Sequence, residues 1–231
     1  MQVTEAIVLA GGLGTRLRDA VPDLPKCMAP VNGKPFISYV ITHLRQQGIG
    51  KFIFSLGYKS EAFTQFLSQE LAPENFEIAI EKEPLGTGGA IRFAAGFAKE
   101  ENIVVVNGDS IFKTSLAQQS AFHFEKKADC TLALKPMVCF DRYGAVELNP
   151  DHRIALFKEK QFFEKGLING GTYLLNIELF CRENLPEKFS FETDYLQQFY
   201  TIRNIYGQVQ DAYFIDIGIP EDYRRAQTEL K

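Results

Sequence analysis

An unbroken apolar run, Ala6-Ile7-Val8-Leu9-Ala10, passes straight into Gly11-Gly12-Leu13-Gly14-Thr15-Arg16, and this junction constrains the 231-residue chain more than any other feature. A strand with one wet face alternates polar and apolar residues; one that is apolar throughout is covered on both faces, as in a parallel sheet between helices. The glycines that follow leave backbone N–H groups open to phosphate oxygens, and Arg16 adds a cation. Two familiar phosphate motifs are absent. The third glycine of a dinucleotide fingerprint falls on Leu17, and no Gly-Lys-Ser/Thr follows. Both motifs start a helix at once, whereas Pro22, Pro25, Pro30 and Pro35 keep this segment irregular.

Downstream, short β-rich runs alternate with amphipathic stretches. A helix is predicted over 35–47, with Phe36, Tyr39, Val40, His43 and Leu44 on one face and Gly48 at its end. A strand at 52–54, a helix over 60–71 capped by Ser60, a strand at 76–80, a helix over 87–98 and a strand at 103–106 follow. This alternation predicts an α/β fold with a Rossmann-like, mostly parallel central sheet flanked by helices. The second half is less regular, with strands expected at 131–134, 145–148, 154–157 and 172–175 in a smaller, mixed sheet. Helices are expected over 116–126, 193–203 and 220–230. No linker or repeat interrupts the chain, so residues 1–231 read as one domain with halves 1–125 and 126–231.

Composition removes several function classes. The 25 Lys+Arg against 29 Asp+Glu leave no cationic excess to neutralise nucleic-acid phosphates. No C-x-x-C pair occurs among Cys27, Cys130, Cys139 and Cys181, and His43, His123 and His152 are scattered, which argues against zinc. Four reduced thiols, no basic leader region and no apolar run of membrane-spanning length predict a cytoplasmic protein without a membrane partner.

Chemistry should lie beyond the carboxyl ends of the strands. Lys26, in Leu24-Pro25-Lys26-Cys27-Met28-Ala29-Pro30, is flanked by prolines expected to hold it extended beside the glycine loop. Val106-Asn107-Gly108-Asp109 and Phe214-Ile215-Asp216 each end an apolar strand in a carboxylate. Either aspartate alone could be a cap or turn residue. Two such carboxylates with phosphates nearby make a Mg²⁺ site, because Mg²⁺ takes few protein ligands and shares substrate oxygens.

Leu9-Ala10-Gly11-Gly12-Leu13-Gly14-Thr15-Arg16-Leu17, Pro25-Lys26, Asn107-Gly108-Asp109, Glu159-Lys160, Asn169-Gly170-Gly171-Thr172-Tyr173 and Asp216-Ile217-Gly218 resemble, in order, the sugar-1-phosphate nucleotidyltransferases. The resemblance spans essentially the whole chain. Glu81-Lys82-Glu83-Pro84-Leu85-Gly86-Thr87-Gly88-Gly89-Ala90, Phe140-Asp141-Arg142-Tyr143-Gly144 and the segment 213–223 are similar to the heptose 1-phosphate guanylyltransferases within that family. The resemblance implies that a sugar 1-phosphate oxygen attacks the α-phosphorus of a nucleoside triphosphate, GTP here, and pyrophosphate leaves. It implies catalytic roles for Arg16 and Lys26 on the triphosphate, and for Asp109 and Asp216 on Mg²⁺. It places Leu9, Ala10, Gly11, Gly12, Gly14, Thr15, Glu81, Pro84, Gly86, Thr87, Asn107 and Gly108 at the nucleotide. It places Gly144, Glu159, Lys160, Asn169 and Gly170 at the sugar phosphate, making the mixed sheet the sugar-binding part.

Two departures stand out. Cys27 replaces the family's usual second proline, which is expected to loosen the Lys26 loop, and no hexapeptide-repeat β-helix follows, so no acyltransferase activity is implied. Neither monomer nor homodimer is selected. Mannose 1-phosphate or another hexose 1-phosphate, with a uridylyl or thymidylyl donor, is the alternative substrate set. A non-catalytic nucleotide- or sugar-phosphate-sensing domain is the alternative of another class, and the presence of Arg16, Lys26, Asp109 and Asp216 together favours catalysis.

Glu81 stands where uridylyl- and thymidylyltransferases of the family carry glutamine. Guanine presents N1–H and an exocyclic amine side by side, two donors that one carboxylate accepts; the carbonyls of uracil would be repelled. Glu83 is a second candidate for this role, and Glu81 as a strand-end residue in water is the bland alternative.

Overall fold

The computed structural model describes residues 3–12, 25–57 and 61–231. Gly14, Thr15, Arg16, Leu17 and the Ser60 cap expected from sequence lie outside the described residues.

The elements in chain order are β1 (Glu5–Leu9), β2 (Pro30–Val31), β3 (Lys34–Pro35), α1 (Phe36–Gln46), β4 (Lys51–Leu56), α2 (Glu61–Glu70), β5 (Phe76–Ile80), α3 (Gly86–Ala95), β6 (Asn102–Asn107), β7 (Ser110–Phe112) and α4 (Leu116–Lys126). There follow β8 (Cys130–Phe140), β9 (Ala145–Leu148), β10 (Ile154–Lys158), β11 (Phe163–Asn176), α5 (Ile177–Cys181), a π-helical turn (Phe191–Leu196) running into α6 (Gln197–Phe199), β12 (Ile205–Val209), β13 (Phe214–Asp216) and α7 (Pro220–Glu229).

Strand β1 is apolar on both faces because it is enclosed on both. It pairs in parallel with β4 on one edge and β6 on the other, and β5 extends the sheet beyond β4. Ala6 and Val8 face a core built with α1, α2 and α7, while Ile7 faces one built with α3 and α5. The spatial order β5-β4-β1-β6 is the doubly wound arrangement, and the connection reverses direction between β1 and β6. The expected α/β sheet, parallel at its centre and flanked by helices, is therefore what forms. Past β6 the sheet turns antiparallel through β11, which also pairs β8 and β9.

Three differences from the sequence reading have physical causes. Strand β8 runs on through Pro136 to Phe140, beyond the 131–134 expected. Its pairing with β12 stops at Leu134, so from Pro136 onward β8 is an edge, where a missing N–H is tolerated. Strand β11 begins at Phe163, nine residues before the apolar segment that marks it, because its first half is polar and glycine-rich over the open end of the sheet. The helix expected over 193–203 is a capped turn over 191–199. Ser190 Oγ accepts the Thr193 N–H, and the rings of Phe191, Tyr195 and Phe199 stack in succession.

Helix α4 is tied to the sheet by His123, 1% exposed. Its Nδ1 is 2.9 Å from Thr131 Oγ1 and its Nε2 is 3.0 Å from Asn102 Oδ1. Burial depresses the imidazole from 6.5 to about 4. The unfolded chain thus takes up this proton below its ordinary pKa, while the folded chain resists it until near pH 4. The stabilisation is complete above pH 6.5 and is lost as the pH falls from there toward 4, up to about 3 kcal/mol. Denaturant melts at pH 7.5 and pH 4.5 should show a smaller acid-induced drop in His123→Gln than in the parent. Equal drops would mean that His123 does not govern this sensitivity.

Candidate active site

Two strand ends meet at the switch point. The Gly108 N–H donates to the Leu9 carbonyl at 2.8 Å, so the loops after β1 and β6 lie side by side. A Cβ on Gly108 would sit 2.9 Å from that carbonyl, which explains the glycine. Asp216 arrives from far along the chain through a two-stranded ladder, β7 with β13, in which it stands opposite Ser110; the Ile217 N–H then donates to the Asp109 carbonyl at 3.1 Å. Two carboxylates 107 positions apart in sequence are thereby fixed in one place.

Lys26 lies between them. Its Nζ donates to Asp109 Oδ2 at 2.5 Å and to Asp216 Oδ1 at 3.1 Å. Burial alone would push the ammonium down; attraction to Asp109 and Asp216 and their hydrogen bonds outweigh this, and its pKa is raised. Lys26 is not extended, as the flanking prolines suggested. It opens a 3-10 turn, Lys26–Met28, because Pro25 has the backbone angles of a helix entry and the Met28 N–H closes onto its carbonyl at 2.8 Å. Cys27 does not loosen the loop. Its thiol is buried and donates to the Ala10 carbonyl at 3.7 Å, tying the turn to the end of β1. Burial pushes that thiol far up, so it is no nucleophile. The β2–β3 hairpin turns at Asn32 and Gly33, both with positive φ, and is fastened to α7 by Tyr223 Oη and Gln227 Nε2, which donate to the Pro30 carbonyl at 2.5 and 2.8 Å.

A cleft of about 740 Å³ opens from this trio toward the mixed part of the sheet. Gly12, Asn107, Gly144, Glu159, Lys160, Asn169 and Gly170 all line it with Lys26, Asp109 and Asp216. Two glycines are steric necessities. A Cβ on Gly144 would approach the Lys158 carbonyl to 2.5 Å, and Gly171, with φ +70°, would drive a Cβ to 2.6 Å from Asn107 Nδ2. Gly171 sits where the register of β11 against β8 shifts, between Asn169 and Tyr173, and such irregularities re-aim side chains beside sites.

The remaining candidates stand outside this cleft, at the ends of β1, β4 and β5. Gly11 packs on Gly57, and a Cβ there would meet Glu81 Oε1 at 3.4 Å. Ser55 Oγ donates to Glu81 Oε1 at 3.0 Å and the Leu85 N–H to Oε2 at 2.9 Å, so the carboxylate is aimed, while Glu83 is exposed. Thr87 Oγ1 accepts the Phe191 N–H at 2.9 Å, and Gly86, with φ +71°, lets the Phe189 carbonyl approach. Pro84 is exposed on the same rim.

The polar residues of the cleft that the sequence reading did not single out are Ser110, Arg142, Tyr143, Lys158, Glu192, Thr193 and Gln197. Arg142-Tyr143 adjoin Gly144 in a quoted segment and could have been found; Glu192 lies in Phe191-Glu192-Thr193-Asp194 and carries no signal. Arg142 donates to the buried Asp222 at 2.6 Å and to Tyr143 Oη at 3.1 Å, which joins α7 to the cleft wall. Among the described residues no cluster of three or more His, Cys, Asp or Glu could hold a metal, and no helix is long and apolar enough to cross a membrane. An ion at Asp109 and Asp216 would therefore take its other ligands from water and phosphate, which fits Mg²⁺.

Comparison with known proteins shows the family. The family described as nucleotidyl transferase matches residues 5–231. The chain is 49% identical over 227 residues to a D-glycero-alpha-D-manno-heptose 1-phosphate guanylyltransferase of Aneurinibacillus thermoaerophilus, covering 98% of each chain. It is 44% identical to the protein of the same description from Campylobacter jejuni, covering 95% of this chain and 96% of that one. Among solved structures, HddC from Yersinia pseudotuberculosis complexed with GMP-PN superposes with a TM-score of 0.89 at 34% identity, over 99% of this chain and all of that one.

The bend at Gly171 supplies a test of how the cleft is held. Gly171→Ala should lower stability by about 1–3 kcal/mol, through positive φ and the clash with Asn107. Gly50→Ala, where a Cβ meets nothing within 4 Å, should be neutral. Thermal melts compare the two, and equal midpoints would show that the bend tolerates a side chain.

Proposed function

Because the chain belongs to the nucleotidyl transferase family, we propose that it transfers the guanylyl group of GTP to D-glycero-α-D-manno-heptose 1-phosphate, giving GDP-heptose and pyrophosphate. The observation that carries the reading is the placement of Lys26, Asp109 and Asp216 at one end of a polar cleft whose other walls hold Glu159 and Lys160. The guanylyltransferase relatives and the aimed Glu81 carboxylate support the choice of base.

The chemistry asks for positioning and charge neutralisation, with little covalent work by the protein. An oxygen of the sugar phosphate forms a bond to the α-phosphorus while the bond to the bridging oxygen breaks, and the electron pair leaves with pyrophosphate. Gly11 and Gly12 would offer open backbone to the triphosphate, and Lys26, with Arg16, would neutralise charge on it as the leaving group departs. Asn107 and the Gly108 backbone would flank the α-phosphate at the switch point. Lys160 would hold the sugar phosphate, and Glu159, Asn169, Gly170 and the Gly144 backbone would face the sugar. Leu9, Ala10, Pro84, Gly86 and Thr87 would border the nucleoside. Asp109 and Asp216 would hold Mg²⁺, which supplies neutralisation of the phosphate charge when bound. The first half of the chain thus serves mainly the nucleotide and the second half mainly the sugar.

A matrix of four nucleoside triphosphates against heptose, mannose and glucose 1-phosphates, scored by pyrophosphate release, tests the reading. GTP with the heptose should give the highest kcat/KM, and turnover of no pair would overturn a catalytic role. Asp109→Asn and Asp216→Asn should each lower turnover on the order of 10²–10³-fold with the fold retained. Parent-level turnover in either variant removes that residue from the chemistry. Glu81→Gln should narrow the preference for GTP over UTP and dTTP by roughly 10- to 100-fold, the value of one mismatched polar contact in a buried site. A preference that survives both Glu81→Gln and Glu83→Gln would leave the carboxylate argument without support.

A further inference from the structure

Glu192 brings to the cleft a carboxylate that the scheme above does not use. Asn169 Nδ2 donates to its Oε1 at 3.2 Å, and the hydroxyl of Tyr173, a residue 2% exposed, lies close enough to favour the charged carboxylate. The same Asn169 Nδ2 donates to Tyr173 Oη at 2.7 Å, and Asn169 Oδ1 accepts the Gly171 N–H at 3.1 Å. A primary amide has two N–H donors. Both of those on Asn169 are committed within the protein, so the side chain expected to donate to a sugar hydroxyl has nothing left to donate.

Glu192 is in the opposite condition. A carboxylate has about four lone-pair sites, and the Asn169 amide, with the Tyr173 hydroxyl close by, orients this one while leaving other sites open to the cleft. It forms no ion pair among the described residues. Burial against the cleft floor raises its pKa, with Lys160 and the Tyr173 hydroxyl pulling the other way. Lys160 is thus close enough to be felt electrostatically without closing onto the carboxylate.

We propose that Glu192 accepts the hydrogen bonds of the sugar hydroxyls, with Asn169 and Tyr173 as positioning residues that aim it. The inference rests on the sugar-1-phosphate nucleotidyltransferase reading. The ligand class is the polyol of a sugar 1-phosphate, whose hydroxyls donate to the carboxylate while the phosphate is held by cations.

The assignment makes a signed prediction. Glu192→Gln should raise KM for the sugar 1-phosphate roughly 10- to 100-fold and leave KM for GTP within about twofold. Tyr173→Phe, which keeps the ring and removes the orienting hydroxyl, should raise the same KM by a smaller factor. Sugar 1-phosphates lacking one ring hydroxyl at a time should include one that the parent enzyme discriminates against and Glu192→Gln does not. If Asn169 were the contact, Glu192→Ala would free one of its donors, and KM for the sugar would fall or stay level; that outcome overturns the proposal. Glu192→Gln, nearly isosteric, carries the test should the alanine variant fail to fold. Parent turnover with sugar KM unchanged in both Glu192 variants overturns this inference alone, whereas a parent protein that turns over no sugar 1-phosphate overturns the transferase reading and this inference with it.

Discussion

The cleft depends on one ammonium held between two carboxylates. Asp109 and Asp216 reach the same ammonium and would repel each other without it. Lys26 compensates both, and its own desolvation is outweighed by the pair of attractions. Such a trio is stable only if all three backbones are fixed independently, because a partly buried charge that loses its partner is strongly destabilising. Each backbone is fixed by a different device. The Lys26 turn is held by the β2–β3 hairpin, by Cys27 on Ala10 and by α7; Asp109 is held by the end of β6 against β1; Asp216 is held by its ladder with β7.

That arrangement accounts for residues whose placement looks unrelated to chemistry. Helix α7 grips Pro30 through Tyr223 and Gln227, and through Asp222 it holds Arg142 at the cleft wall. Gly218 serves the same end. Its N–H donates to Asp216 Oδ1 at 2.7 Å, and a Cβ there would stand 2.9 Å from that oxygen and 3.1 Å from Lys26 Nζ.

How far the sequence reveals this follows from how local each signal is. The central strands β1, β4 and β6 are legible because burial on both faces makes them apolar, and their alternation with helices predicts that they pair in parallel. Asp109 and Asp216 are legible because each ends an apolar run in a carboxylate, and Lys26 because prolines flank it after the glycine loop. The first half of β11 is not, since its pairing with β8 and β9 comes from neighbours distant in sequence while its own residues are glycine and charge. Glycines were also legible only as a class. Those of the Gly11-Gly12 loop read as phosphate-facing, whereas Gly86, placed at the nucleotide by resemblance, has a φ of +71° and a closeness to the Phe189 carbonyl that show a packing requirement no local pattern announces. Glu192 is hidden for the same reason. Its meaning comes from Asn169 and Tyr173, two residues of a strand that approaches only in the fold.

The charge balance of the cleft bears on why an added cation belongs there. Four cationic side chains line it, Lys26, Arg142, Lys158 and Lys160, against four carboxylates, Asp109, Glu159, Glu192 and Asp216. Among the described residues the cleft is therefore formally neutral. Three of the four cations are already paired, Lys26 with Asp109 and Asp216, Arg142 with Asp222, and Lys158 with Glu147. A nucleoside triphosphate and a sugar phosphate would together bring several negative charges into this space, and Lys160 is the cation least engaged with a partner. Neutrality in the free protein keeps the carboxylates from destabilising the fold, but it leaves the bound substrates under-compensated. The deficit is met by positive charge that arrives with them or from outside the described walls. A divalent ion shared by Asp109, Asp216 and phosphate oxygens does so, and so does a cation on the glycine loop, the place that Arg16 has in the sequence.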